Sequence, residues 1–264
     1  MGIMERFSLE GRRALVTGGS LSIGRAIALG FAEAGAAVAI QHSEAADAAF
    51  GRAGAAARTL DDLRLHGVAA HAIESDFRRA GAGTRTVEAA IAALGGVDIL
   101  VVAASIQYRE PFEAMTPDHI ADQIAINFTA SVELLQAALP PMRTRGWGRA
   151  LTIGSINQVR PEPQLAVYAA LKSAQHNLSI NLARQYAPYG VLVNNLAPGL
   201  VATERNRWRR ENAADWQRIQ AAISPMARAG EPDEMVGAAL LLCSDAGSYI
   251  AGADLMITGA GHLP

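Results

Sequence analysis

The sequence predicts an α/β fold: a single doubly wound domain with a mostly parallel, seven-stranded sheet and helices on both of its faces. Three observations carry that prediction. Seven short apolar runs recur along the 264 residues, with helix-period segments between most of them, and strands that alternate with helices pair in parallel. One run, Val97 to Ala103 (VDILVVA), lacks polar alternation, as a strand covered on both faces requires. The first run enters a helix through a glycine-rich turn, the strand–turn–helix unit on which such folds are built.

Arg13 to Val16 is the first strand and ends at Thr17. Gly18-Gly19-Ser20-Leu21-Ser22-Ile23-Gly24 follows, after which Ile23, Ile27, Phe31 and Ala34 recur at helical spacing up to Gly35. In this setting glycines let backbone N–H groups and a helix N-terminus approach a phosphate, with a plain turn as the other reading. Ala36 to Ile40 is the second strand, ending in Gln41-His42-Ser43. A nucleotide fold often places an acid here for the ribose hydroxyls of NAD, or a basic residue for the phosphate of NADP. His42 and Ser43 offer no carboxylate, and Glu44 falls slightly late. Ala45 to Ala57 is helical in tendency but interrupted by Gly51 and Gly54, whereas Thr59 to His66 is a better-defined helix. Val68 to Ile73 is the third strand, leading to Asp76-Phe77, and Gly83 to Leu94 the third helix. VDILVVA is the fourth strand.

Thr116-Pro117-Asp118 starts a helix, with Thr as N-cap and Pro in the first turn. It runs past Asn127 to about Leu139. Asn127 lies among Ile124, Ile126 and Phe128, so it is at least partly buried and needs partners; bonding to backbone in a kinked helix would satisfy it. Leu151 to Ile153 is the fifth strand, with a small-residue turn at Gly154-Ser155, a Pro-bearing loop and a helix to Tyr186. Val191 to Asn195 is the sixth strand. Ala197-Pro198-Gly199 then opens a polar excursion from Leu200 to about Ser224, holding Arg205, Arg207, Arg209 and Arg210 with Trp208 and Trp216. An arginine run is usually a solvated face; recognition of carboxylate or phosphate is the alternative. Pro232 to Leu242 is the last helix and Ala253 to Ile257 the last strand. No linker, repeat or low-complexity block divides residues 1–264.

Tyr168 and Lys172 share one helix face, so phenol and ammonium can converge. A neighbouring cation favours the phenolate and suits Tyr to acid–base work near neutral pH. Lys172 is also the only lysine in the chain, which singles out a position that wants a compact ammonium. Taken alone, the pair also fits a half-buried Tyr beside a solvated Lys. A net charge of -2 and a pI near 6.3 give no reason to expect nucleic acid or an anionic membrane as partner. Cys243, the single cysteine, sits in an apolar run and permits no intrachain disulfide. No hydrophobic signal core or membrane-length apolar run occurs, and the expectation is a soluble, cytoplasmic protein. The six histidines show no metal spacing, so no metal site is expected. Ser155 is not in a Gly-x-Ser-x-Gly elbow, which argues against a hydrolase.

Taken together, these pieces resemble the short-chain dehydrogenase/reductase family from about Arg12 to the C-terminus, which implies a Rossmann-like domain. Thr17-Gly18 through Gly24 looks like its cofactor loop, and Asp76 like the acid that contacts adenine. Asn127, Ser155, Tyr168 and Lys172 match its catalytic tetrad, with Ser thirteen residues before Tyr. Pro198-Gly199 and Thr203 match its segment beside the nicotinamide. The cofactor set implied is Gly18, Ser20, Ser22, Ile23, Gly24, His42, Ser43, Asp76, Phe77, Ala103, Ala104, Tyr168, Lys172, Pro198, Gly199, Val201 and Thr203. Ser22 stands where the family has its middle glycine, Val102-Ala103-Ala104-Ser105 replaces Asn-Asn-Ala-Gly, and Thr258-Gly259-Ala260 replaces Asp-Gly-Gly. The second change removes an asparagine that braces the sheet and the cofactor pocket.

The resemblance implies an oxidoreductase interconverting alcohol and carbonyl. Nicotinamide passes the hydride and Tyr168 exchanges the proton, while Lys172 lowers the Tyr pKa and holds ribose hydroxyls. Ser155 would bond the substrate oxygen, and Asn127 would hold a water linking Lys172 to solvent. The absent acid after the second strand tilts the cofactor toward NADP over NAD. Gln107, Asn157 and Gln158 fall at the strand ends, where their amides suit hydroxyl-rich ligands or brace loops. With Arg205 and Trp208 they point to a sugar, polyol or sugar acid as the small-molecule substrate. A 3-oxoacyl reductase and a non-catalytic nucleotide-binding sensor are the alternatives. The family also implies a homotetramer formed through helices near 117–140 and 164–187.

Overall fold

The computed structural model describes residues 2–264 and contains one seven-stranded sheet, parallel throughout. The strands are β1 (Arg13–Thr17), β2 (Ala37–His42), β3 (Ala70–Glu74), β4 (Ile99–Val102), β5 (Gly148–Ile153), β6 (Val191–Pro198) and β7 (Asp254–Ile257), in the order β3-β2-β1-β4-β5-β6-β7. The chain winds outward in one direction from β1 and returns to β1's other side with β4. That reversal opens a crevice at the carboxyl ends of the two strands, where such sheets bind ligands.

Side chains alternate between two cores. Ala14, Val16, Ile99 and Val101 enter one cluster, beneath α1 (Ser22–Glu33), α3 (Ala55–Arg64) and α9 (Val236–Cys243). Leu15, Leu100 and Val102 enter the other, beneath α4 (Ala82–Leu94), α6 (Ala130–Arg145) and α7 (Ala166–Tyr186). Burial on both faces is why these strands read as continuous apolar runs. No helix among the described residues is long and apolar enough to cross a membrane.

Several boundaries differ from the sequence reading for local reasons. The Ala45–Ala57 stretch is α2 (Glu44–Ala49) followed by a separate α3, because Gly51 and Gly54 adopt φ of +69° and +70° and break the helix. The third strand starts at Ala70 rather than Val68. The helix entered at Thr116 is α5 (Pro117–Ile124), a π-turn over Ala125–Thr129, and α6, which continues past Pro140 and Pro141 to a left-handed Gly146. The arginine-bearing excursion is itself helical, with a 3-10 segment (Glu204–Arg210) and α8 (Ala213–Ile223). Pro232–Met235 forms a 3-10 turn before α9.

Candidate active site

The carboxyl ends of the strands border a cavity of about 1340 Å³, running from the glycine-rich turn and His42 to Tyr168 and Trp208. It exceeds the ~300–1,000 Å³ of a pocket for one small ligand, leaving room for a dinucleotide and a second molecule. The turn that forms one wall is tightly built. Gly18 has φ +61°, and a Cβ there would lie 3.0 Å from Ala104, while a Cβ at Gly24 would lie 2.2 Å from the Gly18 carbonyl oxygen. No side chain caps α1, so its leading N–H groups are available to an anion. These features fit the pyrophosphate of NAD(P), which when bound would lie against Gly18, Ser20, Ser22, Ile23 and Gly24.

Ser22, at the position of the family's middle glycine, keeps a glycine-like backbone with φ +51°, a conformation that costs an L-residue roughly 1–2 kcal/mol. Its Oγ accepts from Glu204 N at 3.3 Å, tying the turn to the excursion. The asparagine absent after β4 is offset from another direction. Thr17 Oγ1 accepts from Ala103 N at 2.9 Å and Ala104 N at 3.1 Å, and Gln41 bridges Gly18 N (3.0 Å) and the Ser75 carbonyl (2.7 Å).

Sequence reasoning missed Asp47. Ser43 caps α2, and the first turn of that helix returns Asp47 to the end of β2. Asp47 is 4% exposed; its Oδ1 accepts from Ser20 Oγ at 2.9 Å, and its Oδ2 lies 3.9 Å from His42 Nδ1. Neither that oxygen nor that nitrogen has a hydrogen-bond partner, and burial pushes the carboxyl above its usual range. A carboxylate here suits ribose hydroxyls, and His42, Ser43 and Ser20 suit a phosphate, so the donor set fits either nucleotide. Asp76, the expected adenine contact, borders the cavity and binds Arg78 through N (3.0 Å) and Nε (3.1 Å). Phe77, Ala103, Ala104, Pro198, Gly199 and Val201 also border it, as does Thr203.

Tyr168 and Lys172 are buried on α7, with Nζ 5.8 Å from the centre of the Tyr ring. Lys172 Nζ donates to the Ile153 carbonyl at 2.6 Å and to Gln175 Oε1 at 3.0 Å, so two of its three protons are engaged. Burial opposes ionisation of Tyr168. Against that, Lys172, Arg205 and the hydroxyls of Ser155 and Ser105 together hold the phenol below its usual value. Burial, with help from Arg205, also lowers the Lys172 ammonium, opposed by Tyr168. Ser155 Oγ accepts from Asn157 N (3.1 Å) and Asn157 Nδ2 (3.2 Å), which leaves its own proton free to donate.

Asn127 sits within the π-turn, away from the cavity wall. Its amide exchanges both bonds with the Ile106 backbone (3.0 and 2.8 Å), and its carbonyl accepts from Ser131 Oγ at 3.0 Å. Ser131 accepts from Gln175 Nε2 at 2.9 Å, so a buried chain of bonds runs from Lys172 through Gln175 to Asn127. Gln175 is a second residue that sequence reasoning missed.

On the substrate side, Gln107, Arg205 and Trp208 border the cavity. Asn157 borders the cavity too and also braces the loop, whereas Gln158 is absent from the cavity wall. Asn157 holds Ser155 and accepts from Glu162 N, while Gln158 turns from the cavity to donate to Asp254 Oδ2 at 2.6 Å. The wall at 109, 160–162 and 205–209 carries Arg109, Arg160, Arg205 and Arg209 against the single carboxylate of Glu162. Arg109 grips Glu162 in a bidentate pair, and with burial opposing, that grip lowers the carboxyl.

Three comparisons agree with this geometry. A sequence model of the short chain dehydrogenase family matches residues 12–214. Gluconate 5-dehydrogenase of Gluconobacter oxydans (strain 621H) is 35% identical, over 96% of this chain and 95% of the relative. A 3-oxoacyl (acyl-carrier-protein) reductase from Agrobacterium tumefaciens C58, solved with NADP bound, is 44% identical over 98% of this chain and 97% of its own, with a TM-score of 0.92. A gluconate 5-dehydrogenase from Burkholderia cenocepacia J2315, in complex with NADP and tartrate, is 34% identical over 98% of both chains, with a TM-score of 0.88. The protein belongs to the short-chain dehydrogenase/reductase family and is an NAD(P)-dependent oxidoreductase acting on CH–OH donors.

Proposed function

We propose that this protein interconverts the alcohol and carbonyl forms of a sugar acid, sugar or polyol, with NADP favoured over NAD. The observation that carries this reading is a buried Tyr168 with a depressed phenol, bordering a cavity also lined by Arg109, Arg160, Arg205 and Arg209, with Glu162 among them and Glu204 paired to Arg52. A nicotinamide held against these residues would supply or accept the hydride. The chain's own residues handle the oxygen and its proton. Ser155 donates its free hydrogen to the substrate oxygen, and Tyr168 Oη gives up its proton to that oxygen in reduction or takes it in oxidation. Lys172 and Arg205 stabilise the phenolate that reduction leaves. Gln107 and the guanidinium wall suit hydroxyls and a carboxylate, and the relatives that act on gluconate support that class.

Residues 1–264 would act as one domain, with the 200–224 excursion forming the wall over the substrate. A homotetramer through the helices near 117–140 and 164–187 is supported by the exposed Ile124 at the end of α5 and Ile180 on α7. A cytoplasmic location accords with a chain whose single cysteine, the buried Cys243, permits no intrachain disulfide. The test is fluorescence titration of NADPH and NADH with wild type and Tyr168→Phe, then a turnover screen of sugars, polyols, sugar acids and a 3-oxoacyl thioester. Tight NADPH binding by both proteins, with turnover of a hydroxylated substrate lost in Tyr168→Phe, is the expected result. Turnover confined to the thioester favours the reductase suggested by the 44%-identical neighbour. Binding without turnover of anything favours a sensor.

A further inference from the structure

The loop after β4 carries one buried hydroxyl, that of Ser105, which has no hydrogen-bond partner. Ala103 and Ala104 bind Thr17 through their N–H groups, and Ile106 binds Asn127 through N and O. Between them, Ser105 gives its carbonyl to Arg205 Nη2 at 2.7 Å. Its Oγ is buried and closes no hydrogen bond, Ser105 borders the same cavity as Tyr168, and its hydroxyl is among the groups that lower the Tyr168 phenol. A buried hydroxyl without a settled partner is unfavourable, and a glycine at this position would carry none.

The other donors near the phenol have competing duties. Ser155 has one hydrogen, and when it serves the substrate oxygen it no longer serves Tyr168. Lys172 directs two of its protons to Ile153 and Gln175 and lies 5.8 Å from the ring centre, acting on the phenol chiefly through its field. We propose that Ser105 is a positioning residue for Tyr168, its hydroxyl donating to the phenolate oxygen whenever the proton has left. Ser155 then attends the substrate and Ser105 attends the base. Ser105 keeps its own proton throughout, so the only bonds exchanged are those between Tyr168 Oη, the transferred proton and the substrate oxygen. This inference rests on the role assigned above to Tyr168.

The test needs no substrate. The phenolate of Tyr168 is titrated by ultraviolet absorption as the difference between each protein and the same protein carrying Tyr168→Phe. Ser105→Gly and Ser105→Ala remove the hydroxyl but keep the carbonyl that holds Arg205; Ser105→Thr keeps the hydroxyl. The midpoint is expected to rise by about one pH unit in the Gly and Ala variants, which is roughly a tenfold loss of phenolate below the midpoint. The Thr variant is expected to titrate as wild type. Unmoved midpoints in both Gly and Ala variants overturn the proposal, as does a Thr variant that shifts as far as they do. Failure here is distinct from failure of the proposed function, which is read separately as turnover surviving Tyr168→Phe.

Discussion

Gln175→Leu preserves much of the volume of a side chain only 1% exposed and deletes both of its hydrogen bonds. The two losses differ in weight. Ser131 Oγ loses a donor at 2.9 Å but still donates to the Asn127 carbonyl, so it is left satisfied. Lys172 loses an acceptor at 3.0 Å and keeps only Ile153 O at 2.6 Å among its side-chain bonds. A hydrogen bond to a charged group contributes ~1.5–3 kcal/mol, and orphaning a buried charge entirely costs ~3–5 kcal/mol. With one acceptor retained and an apolar side chain added, we expect a loss of about 2 kcal/mol. For a chain of this size that lowers Tm by roughly 4–8 °C. Urea unfolding at neutral pH measures it, alone and in a Lys172→Met background. With the ammonium gone the same substitution should cost little, giving a coupling of about 1.5 kcal/mol, within the usual range for contacting residues. An equal cost in both backgrounds would refute the idea that Gln175 acts through Lys172.

Gly24→Ala places a Cβ 2.2 Å from the Gly18 carbonyl oxygen. The turn must then open, and NADPH affinity by fluorescence titration should fall at least tenfold; unchanged affinity would show that the turn does not hold the cofactor. Burial alone would raise Asp98, but its bonds from Arg13 at 2.7 and 2.8 Å, with Arg145 nearby, hold its carboxyl below the usual range. A carboxyl depressed in the folded state contributes stability that is fully present above its unfolded value near ~3.9 and lost as pH falls through the folded one. Asp98→Asn should therefore cost about 2 kcal/mol at pH 7, with the gap to wild type closing below about pH 4. A gap that persists in acid assigns the loss to packing.

The strands were legible because burial on both sheet faces leaves no polar alternation, as at Ile99–Val102. The Ser155, Tyr168 and Lys172 set was legible because strand end and helix are adjacent in sequence. Partners that meet by a backward turn were not. Asp47 reads as one more acid on an alanine-rich helix until Ser43 caps that helix and points its first turn back at Ser20. Gln158 reads equally as a substrate amide or a loop brace because a one-dimensional sequence gives no sign of Asp254, 96 residues later, on β7. At two of the three positions where a family glycine is replaced, Ser22 and Ala260 adopt left-handed φ of +51° and +65°. There the surrounding structure overrides local preference. The Asn127 π-turn has no sequence mark comparable to a proline or glycine.

A chain in which arginine stands wherever lysine otherwise could carries its one ε-amino group beside the Tyr168 phenol, 2% exposed. Guanidinium groups ignore the acylating reagents that modify amines. Such a reagent therefore meets no exposed side-chain amine, and it reaches Lys172 only by way of the cavity that this residue borders. The rate of acylation at Lys172, read by peptide mass mapping so that the α-amino group is counted apart, is a clock for breathing of the cleft. A ligand that fills the cavity would slow it without any label having been engineered into the molecule.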